Sequence, residues 1–184
     1  PLWCAMYDTL GVAGILSCGS TANNNVNVDV VGDLPTACPS EYMIAVTATN
    51  SSNVRTFSGY GITTIDIGAP GEAVYLAGNT SYGNTSGTSF AGPCVAGAIA
   101  LLYSAPCNSF MAIANSNPST GAELIRDYIF NGVDIVPNLQ PEIVTGGRLN
   151  VKNSLDLLLN ESLHILNDRN DFHAVLSRVV FSSL

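Results

Sequence analysis

Ser89 holds the clearest chemical promise in this chain because of where the sequence places it. It lies in Gly87-Thr88-Ser89-Phe90-Ala91-Gly92-Pro93, after a polar turn run at 81–86 and before the apolar stretch Val95 to Tyr103. A stretch apolar on every face is the pattern of a buried helix, so Ser89 is expected in its first turn. Backbone N–H groups there lack intrahelical acceptors, and the helix dipole ends positive. Such a place suits developing negative charge, as when a hydroxyl attacks a carbonyl and forms a tetrahedral oxyanion. An ordinary helix cap, from Thr88 or Ser89, also accounts for the short string.

The longer string decides between these readings. Gly87 to Gly97, read as G-T-S-F-A-G-P-C-V-A-G, closely resembles the nucleophile segment of the subtilisin-like serine proteases (subtilases, peptidase S8), usually G-T-S-M-A-x-P-x-V-A-G. Phe90 and Cys94 are its mild departures. The resemblance implies that Ser89 is the nucleophile and that its own N–H is one oxyanion donor. Gly14 to Asn23 is similar to the family strand that ends in an oxyanion asparagine, so Asn23 is implied as the side-chain donor. Ala22 stands where glycine is usual, and Asn24 and Asn25 follow, leaving the register open by one or two residues; an asparagine-rich turn is the plainer alternative. Pro35 to Pro39 and Met43 to Thr49 resemble the next family segment, which implies a cis Leu34–Pro35 bond beside the substrate pocket. Val54 to Gly61, Asp66 to Gly71 and Gly147 to Asn150 continue in family order.

The implied fold is α/β, a three-layer subtilisin-like parallel sheet flanked by helices, here only its C-terminal portion. Residues 1–158 are expected to form that portion, and 159–184 a tail of unknown role. The implied substrate is a polypeptide, bound with help from Gly19, Ser20, Thr21, Pro35 and Thr88.

A serine hydroxyl is a weak nucleophile until a base takes its proton and an acid orients that base. In subtilases both partners precede the segment that begins here. The two histidines, His164 and His173, follow Ser89 and stand in no family-like setting. Asp8-Thr9-Leu10 has two letters of the family's aspartate motif, but it falls within a helical pattern (Leu2, Met6, Leu10) and directly before the oxyanion strand, too late in the chain. The expectation is therefore a serine endopeptidase hydrolysing peptide bonds through an acyl-enzyme. This chain would supply nucleophile and oxyanion hole, be inactive alone, and partner the missing N-terminal half of the domain. A non-catalytic pseudoprotease or partner-binding fragment is the alternative. An esterase of another α/β class would need a downstream histidine to approach Ser89.

Composition agrees with one globular domain: 184 residues, 47% apolar and only 11% charged. A net charge of −8 leaves no basic patch for nucleic acid. No apolar run approaches the roughly 20 residues of a membrane span. No cofactor is required and no metal site is assigned, although Asn23 to Asn25 with Asp29 and Asp33 offer oxygen ligands for a structural calcium ion. Secretion is implied by the resemblance alone. Of five cysteines, Cys4, Cys18 and Cys94 sit in apolar settings that suit buried thiols, whereas Cys38 and Cys107 lie in turns and are the better disulfide candidates. The elements needed to position Ser89 and Asn23 are helices near 2–11, 88–104 and 119–131, strands near 14–19, 42–48 and 64–68, and a hairpin near 73–82. Strands alternating with helices argue a parallel sheet whose ligands bind beyond its carboxyl ends.

Overall fold

The computed structural model describes residues 2–105 and 107–160. His164, His173 and the greater part of the expected 159–184 tail lie outside the described residues. Helix α1 (Leu2–Val12) leads into β1 (Ser17–Ser20), the short α2 (Val28–Val31), β2 (Met43–Thr49) and β3 (Ile67–Pro70). The hairpin β4 (Val74–Ala77) and β5 (Tyr82–Thr85) precedes α3 (Thr88–Ser104), α4 (Asn108–Ser116) and α5 (Pro118–Asn131). Strands β6 (Asp134–Ile135) and β7 (Gly147–Arg148) complete the sheet, and 151–160 is helical.

The sheet order is β1-β2-β3-β7-β6, parallel except for the β6/β7 pair. Strand β2, Met-Ile-Ala-Val-Thr-Ala-Thr, is buried at every position, as a strand covered on both faces must be. Its Ile44, Val46 and Ala48 join Ile67, Ala69, Val95, Leu102, Ile125 and Ile129 in the larger core. Ala45 faces the opposite side, with Val28, Ile65, Leu139 and Ile143. The long helix α3 packs across β1, β2 and β3, while α2 and coil cover the second face. A parallel sheet flanked by helices is thus the architecture, as the sequence implied.

Several boundaries moved for local reasons. Strand β1 starts at Ser17 because residues 14 and 15 finish α1: Gly14 (φ +83°) donates to the Gly11 carbonyl and Ile15 to Leu10. That is the Schellman pattern, which needs a residue comfortable at positive φ. Helix α4 was not anticipated. Its N-cap is Cys107, whose Sγ accepts the Phe110 N–H, and cysteine is not among the side chains that announce a helix start.

The cysteine pairing needs correction. The disulfide joins Cys4 to Cys38, so Cys4 is not a free thiol and Cys107 is not the partner of Cys38. Helix α1 lies against β1 and α5 and brings its first turn to the Cys38 loop, a long-range approach that local sequence does not reveal. Cys18 is half-buried, and Cys94 is exposed rather than buried, on a face of α3 that no described residue covers.

At the amino end of β3, Asp66 lines a cavity of about 320 Å³ with Thr36, Ser40, Thr63 and Arg126. Burial pushes its pKa up to about 6, opposed in part by the Ala45 N–H that it accepts. A carboxyl with a folded-state pKa above its unfolded value stabilises the fold at low pH, and that stability is lost as pH rises toward 6. Asp66→Asn keeps an acceptor for Ala45 without the charge. Thermal melts from pH 4 to 8 should show the variant more stable than wild type by about 3 kcal/mol above pH 7, the gap closing near pH 4. A constant gap across that range would exclude Asp66 as its cause.

Candidate active site

Ser89 occupies the first turn of α3 and is exposed. The residue before the helix, Gly87, has no side chain with which to cap it. The cap comes instead from 65 residues upstream, where Asn23 Oδ1 accepts the Thr88 N–H at 2.9 Å and the Thr88 hydroxyl at 3.1 Å. These bonds orient the Asn23 amide, since only its oxygen can accept. Among the described residues Asn23 Nδ2 and Ser89 Oγ make no hydrogen bond. Pro93 cannot donate to the Ser89 carbonyl, so that part of the turn also lacks its usual i+4 bond.

Two further contacts latch α3 to the end of β1. Thr88 Oγ1 donates to the Thr21 carbonyl at 2.6 Å, and Ser20 Oγ donates to the Thr88 carbonyl at 2.9 Å. Gly92 makes the approach possible, because a Cβ there would lie 2.4 Å from Ser20 Oγ. Thr21 and Thr88 are both 2% exposed, so they brace the site from inside and offer a ligand little but main chain. Gly19 is buried where a side chain would strike Met43 and Pro35, whose ring packs over it. The Leu34–Pro35 bond is cis, as the resemblance implied. Hydrogen bonds therefore bring Thr88, Asn23, Thr21 and Ser20 together, with Ser89 next to Thr88 in the chain, and packing brings Gly19 to Pro35.

The neighbouring asparagines differ in their contacts. Asn23 touches α3, whereas Asn25 (φ +52°) turns away and accepts from Arg55. Cys18, Ser20, Ser89, Gly92, Pro93 and Ala96 line an open groove of about 440 Å³. Burial pushes the Cys18 thiol up, so Cys18 is a poor thiolate nucleophile beside Ser89. Cys18 in this groove was not anticipated; its i, i+2 alternation with Ser20 along β1 was the available signal. Cys94 directs its thiol to the Phe90 carbonyl of its own helix. Asp8 sits on α1 and accepts from Ser40, remote from this cluster. In the acidic turn, Asp29 accepts from Thr63 and Thr64, and Asp33 from Thr21, Ala22 and Thr36.

A parallel sheet with a serine heading its central helix, and an asparagine from the neighbouring strand's carboxyl end fixed against that helix, defines a subtilisin-like α/β domain. Residues 4–155 match Peptidase S8, the subtilase family. The chain belongs to the subtilase family. It is 36% identical over 103 residues to an extracellular protease of Xanthomonas campestris pv. campestris, an overlap of 51% of this chain and 16% of that protein. Among solved structures, subtilase cytotoxin SubAB superposes with a TM-score of 0.70 at 20% identity, over 88% of this chain and 54% of that one. The self-cleaved protease domain of PatA gives 0.64 at 26% identity, over 87% and 56%. The prenylagaramide maturation protease PagA gives 0.65 at 21%, over 86% and 56%. The chain thus spans about half the length of these structures and a small part of the curated relative.

Proposed function

We propose that this chain is the nucleophile-bearing half of a subtilisin-type serine endopeptidase. The observation that carries the reading is the pairing of Asn23 with the first turn of α3. One amide oxygen caps Thr88, so the amide nitrogen and the Ser89 N–H remain as two donors beside the Ser89 hydroxyl. Two donors beside a nucleophile are the requirement for holding the oxyanion of an acyl-transfer intermediate. In the completed domain, a histidine from the upstream half takes the Ser89 proton as Oγ attacks the peptide carbonyl. The same histidine returns the proton to the leaving amine, and water then releases the acyl group.

The uncovered surfaces support an upstream half as partner. Strand β1 is an edge of the described sheet, and the unpaired N–H and C=O groups of an edge can take a further strand. Pro93, Cys94, Ala96, Gly97, Ala100 and Leu101 of α3 are exposed although the helix is apolar all round. On this reading the base for Ser89 comes from that half, and the chain alone is inert. No cofactor takes part in the chemistry. Secretion fits the disulfide between Cys4 and Cys38, a bond of oxidising compartments.

A fluorophosphonate probe tests the reading. Mass mapping should find the label on Ser89 only when the upstream half is supplied, and Ser89→Ala should abolish it. Labelling of this chain alone would instead assign the base to His164 or His173. No labelling in either form would favour a non-catalytic, partner-binding role.

A further inference from the structure

We infer that Ser20 is a positioning residue for the reaction: its hydroxyl polarises the Thr88–Ser89 peptide group and strengthens the Ser89 N–H as an oxyanion donor. This role rests on the protease reading above and adds to it a residue that acts through a neighbouring amide.

The Thr88 carbonyl and the Ser89 N–H are two ends of one amide, joined by resonance across the C–N bond. A donor on the oxygen draws electron density from the nitrogen, and its proton then donates more strongly. Ser20 Oγ sits on that oxygen at 2.9 Å, and the sense of the bond is fixed because a carbonyl only accepts. The oxygen's second lone pair stays free for the helix's own i+4 bond, so the two donors do not compete. The amide on the other side of Ser89 is treated differently, since Pro93 has no N–H to give the Ser89 carbonyl. The extra bond therefore falls on the one amide of this turn whose N–H serves the reaction.

Ser20 also fixes the direction of that N–H. Three polar groups of Thr88 are held by the β1 segment: the N–H by Asn23, the hydroxyl by Thr21 and the carbonyl by Ser20. The peptide plane that carries the Ser89 N–H is then anchored at its carbonyl end and cannot swing without breaking the Ser20 bond. Ser20 is itself held in register, paired with Val46 of β2, while the next N–H, from Thr21, donates to the Val46 carbonyl. It is half-buried and lines the same groove as Ser89, where a hydrogen bond is stronger than in water. Gly92 shows what the hydroxyl requires. A Cβ at Gly92 would collide with Ser20 Oγ yet lie 3.7 Å from Ser20 Cβ, an ordinary contact. The oxygen of Ser20, not its carbon, is therefore what excludes a side chain from a helical position where glycine is unfavourable.

Kinetics on the catalytic domain completed by its upstream half test the role, with fluorophosphonate titration of Ser89 counting competent sites. One oxyanion donor is worth about 10²–10³ in rate, and polarisation changes a hydrogen bond by roughly 10–30%. Ser20→Ala should therefore lower kcat on peptide amides by about 2- to 8-fold with KM unchanged. A peptide aldehyde, which adds to Ser89 as a tetrahedral adduct, should lose affinity by the same factor, while the corresponding peptide alcohol binds as before. Gly92→Ala displaces the hydroxyl and should lower kcat equally without lowering the melting temperature, since alanine favours a helix. In a Ser20→Ala background, Gly92→Ala should cost nothing further, because the colliding oxygen is gone. Unchanged kcat and aldehyde affinity in Ser20→Ala overturn the role while the titrated Ser89 leaves the protease reading standing. A loss confined to KM, or additive losses in the double variant, assign both residues to packing and overturn it as well. Absence of any titratable Ser89 in the wild type removes the protease reading and this role with it.

Discussion

In the completed domain, Asn23→Ala is expected to lower kcat by about 10²–10³-fold with KM within a few-fold of wild type, the effect known for one oxyanion-hole donor in a subtilisin-type enzyme. The split between the two constants follows from when the bond forms. Nδ2 meets full negative charge only after Ser89 has attacked, so losing it leaves substrate binding nearly untouched. The substitution has a second consequence, because Asn23 Oδ1 also caps Thr88. Losing a cap costs about 1 kcal/mol of stability, and a loosened first turn would itself slow the reaction. Asn23→Asp separates the two. Its carboxylate still accepts from Thr88 and places negative charge at a helix N-terminus, which favours the fold. It has no donor, however, and it repels an oxyanion. Steady-state kinetics and melting temperature together should show Asn23→Asp folded and at least as impaired as Asn23→Ala. An Asn23→Asp enzyme that keeps its turnover would refute the oxyanion role and leave only the cap.

Much of this site was legible because its parts are local strings. The Gly87 to Gly97 segment carries its own turn, its serine and the small residues that let α3 approach β1, and α3 begins at Thr88 and ends at Ser104. The asparagine run was less legible, since only a contact 65 residues away distinguishes Asn23 from Asn24 and Asn25. The same limit hid the Cys4–Cys38 bond, which depends on where α1 lies. Asp33 carried no motif of its own. Its meaning comes from three donors that converge on one oxygen from Thr21, Ala22 and Thr36. Short strands were misjudged wherever a neighbouring cap or loop claimed their first residues, as at Gly14 and Ile15. Strand β7, two residues long, has no periodicity to read and exists because β3 and β6 flank it.

Arg55→Ala is expected to cost about 3–5 kcal/mol of folding stability, far more than removal of a surface cation. The Arg55 side chain is only 7% exposed. Its Nε and one terminal nitrogen each meet a Glu142 oxygen at 2.8 Å, the fork geometry that makes arginine pairs strong. The other terminal nitrogen donates to Asn25 Oδ1 and to the Ser58 carbonyl, and the guanidinium lies 4.5 Å from the Tyr60 ring centre. One side chain therefore ties three segments: the turn after Asn23, the loop before β3, and the stretch ahead of β7. Truncating it strands the Glu142 carboxylate and frees the Asn25 side chain, leaving the left-handed backbone there anchored by its own N–H on the Phe57 carbonyl. The double variant Arg55→Met with Glu142→Met removes both charges together and should recover a large part of the loss, because the penalty lies in the unpaired charge. Denaturant unfolding supplies the numbers, with an unchanged m-value certifying that stability alone has moved. A loss below about 1 kcal/mol for Arg55→Ala would mean that the pair behaves as a solvated surface bridge. The turn bearing Asn23 would then owe its shape to Asp33 and Thr88, and the asparagine amide would hold its aim without help from the far side of the loop.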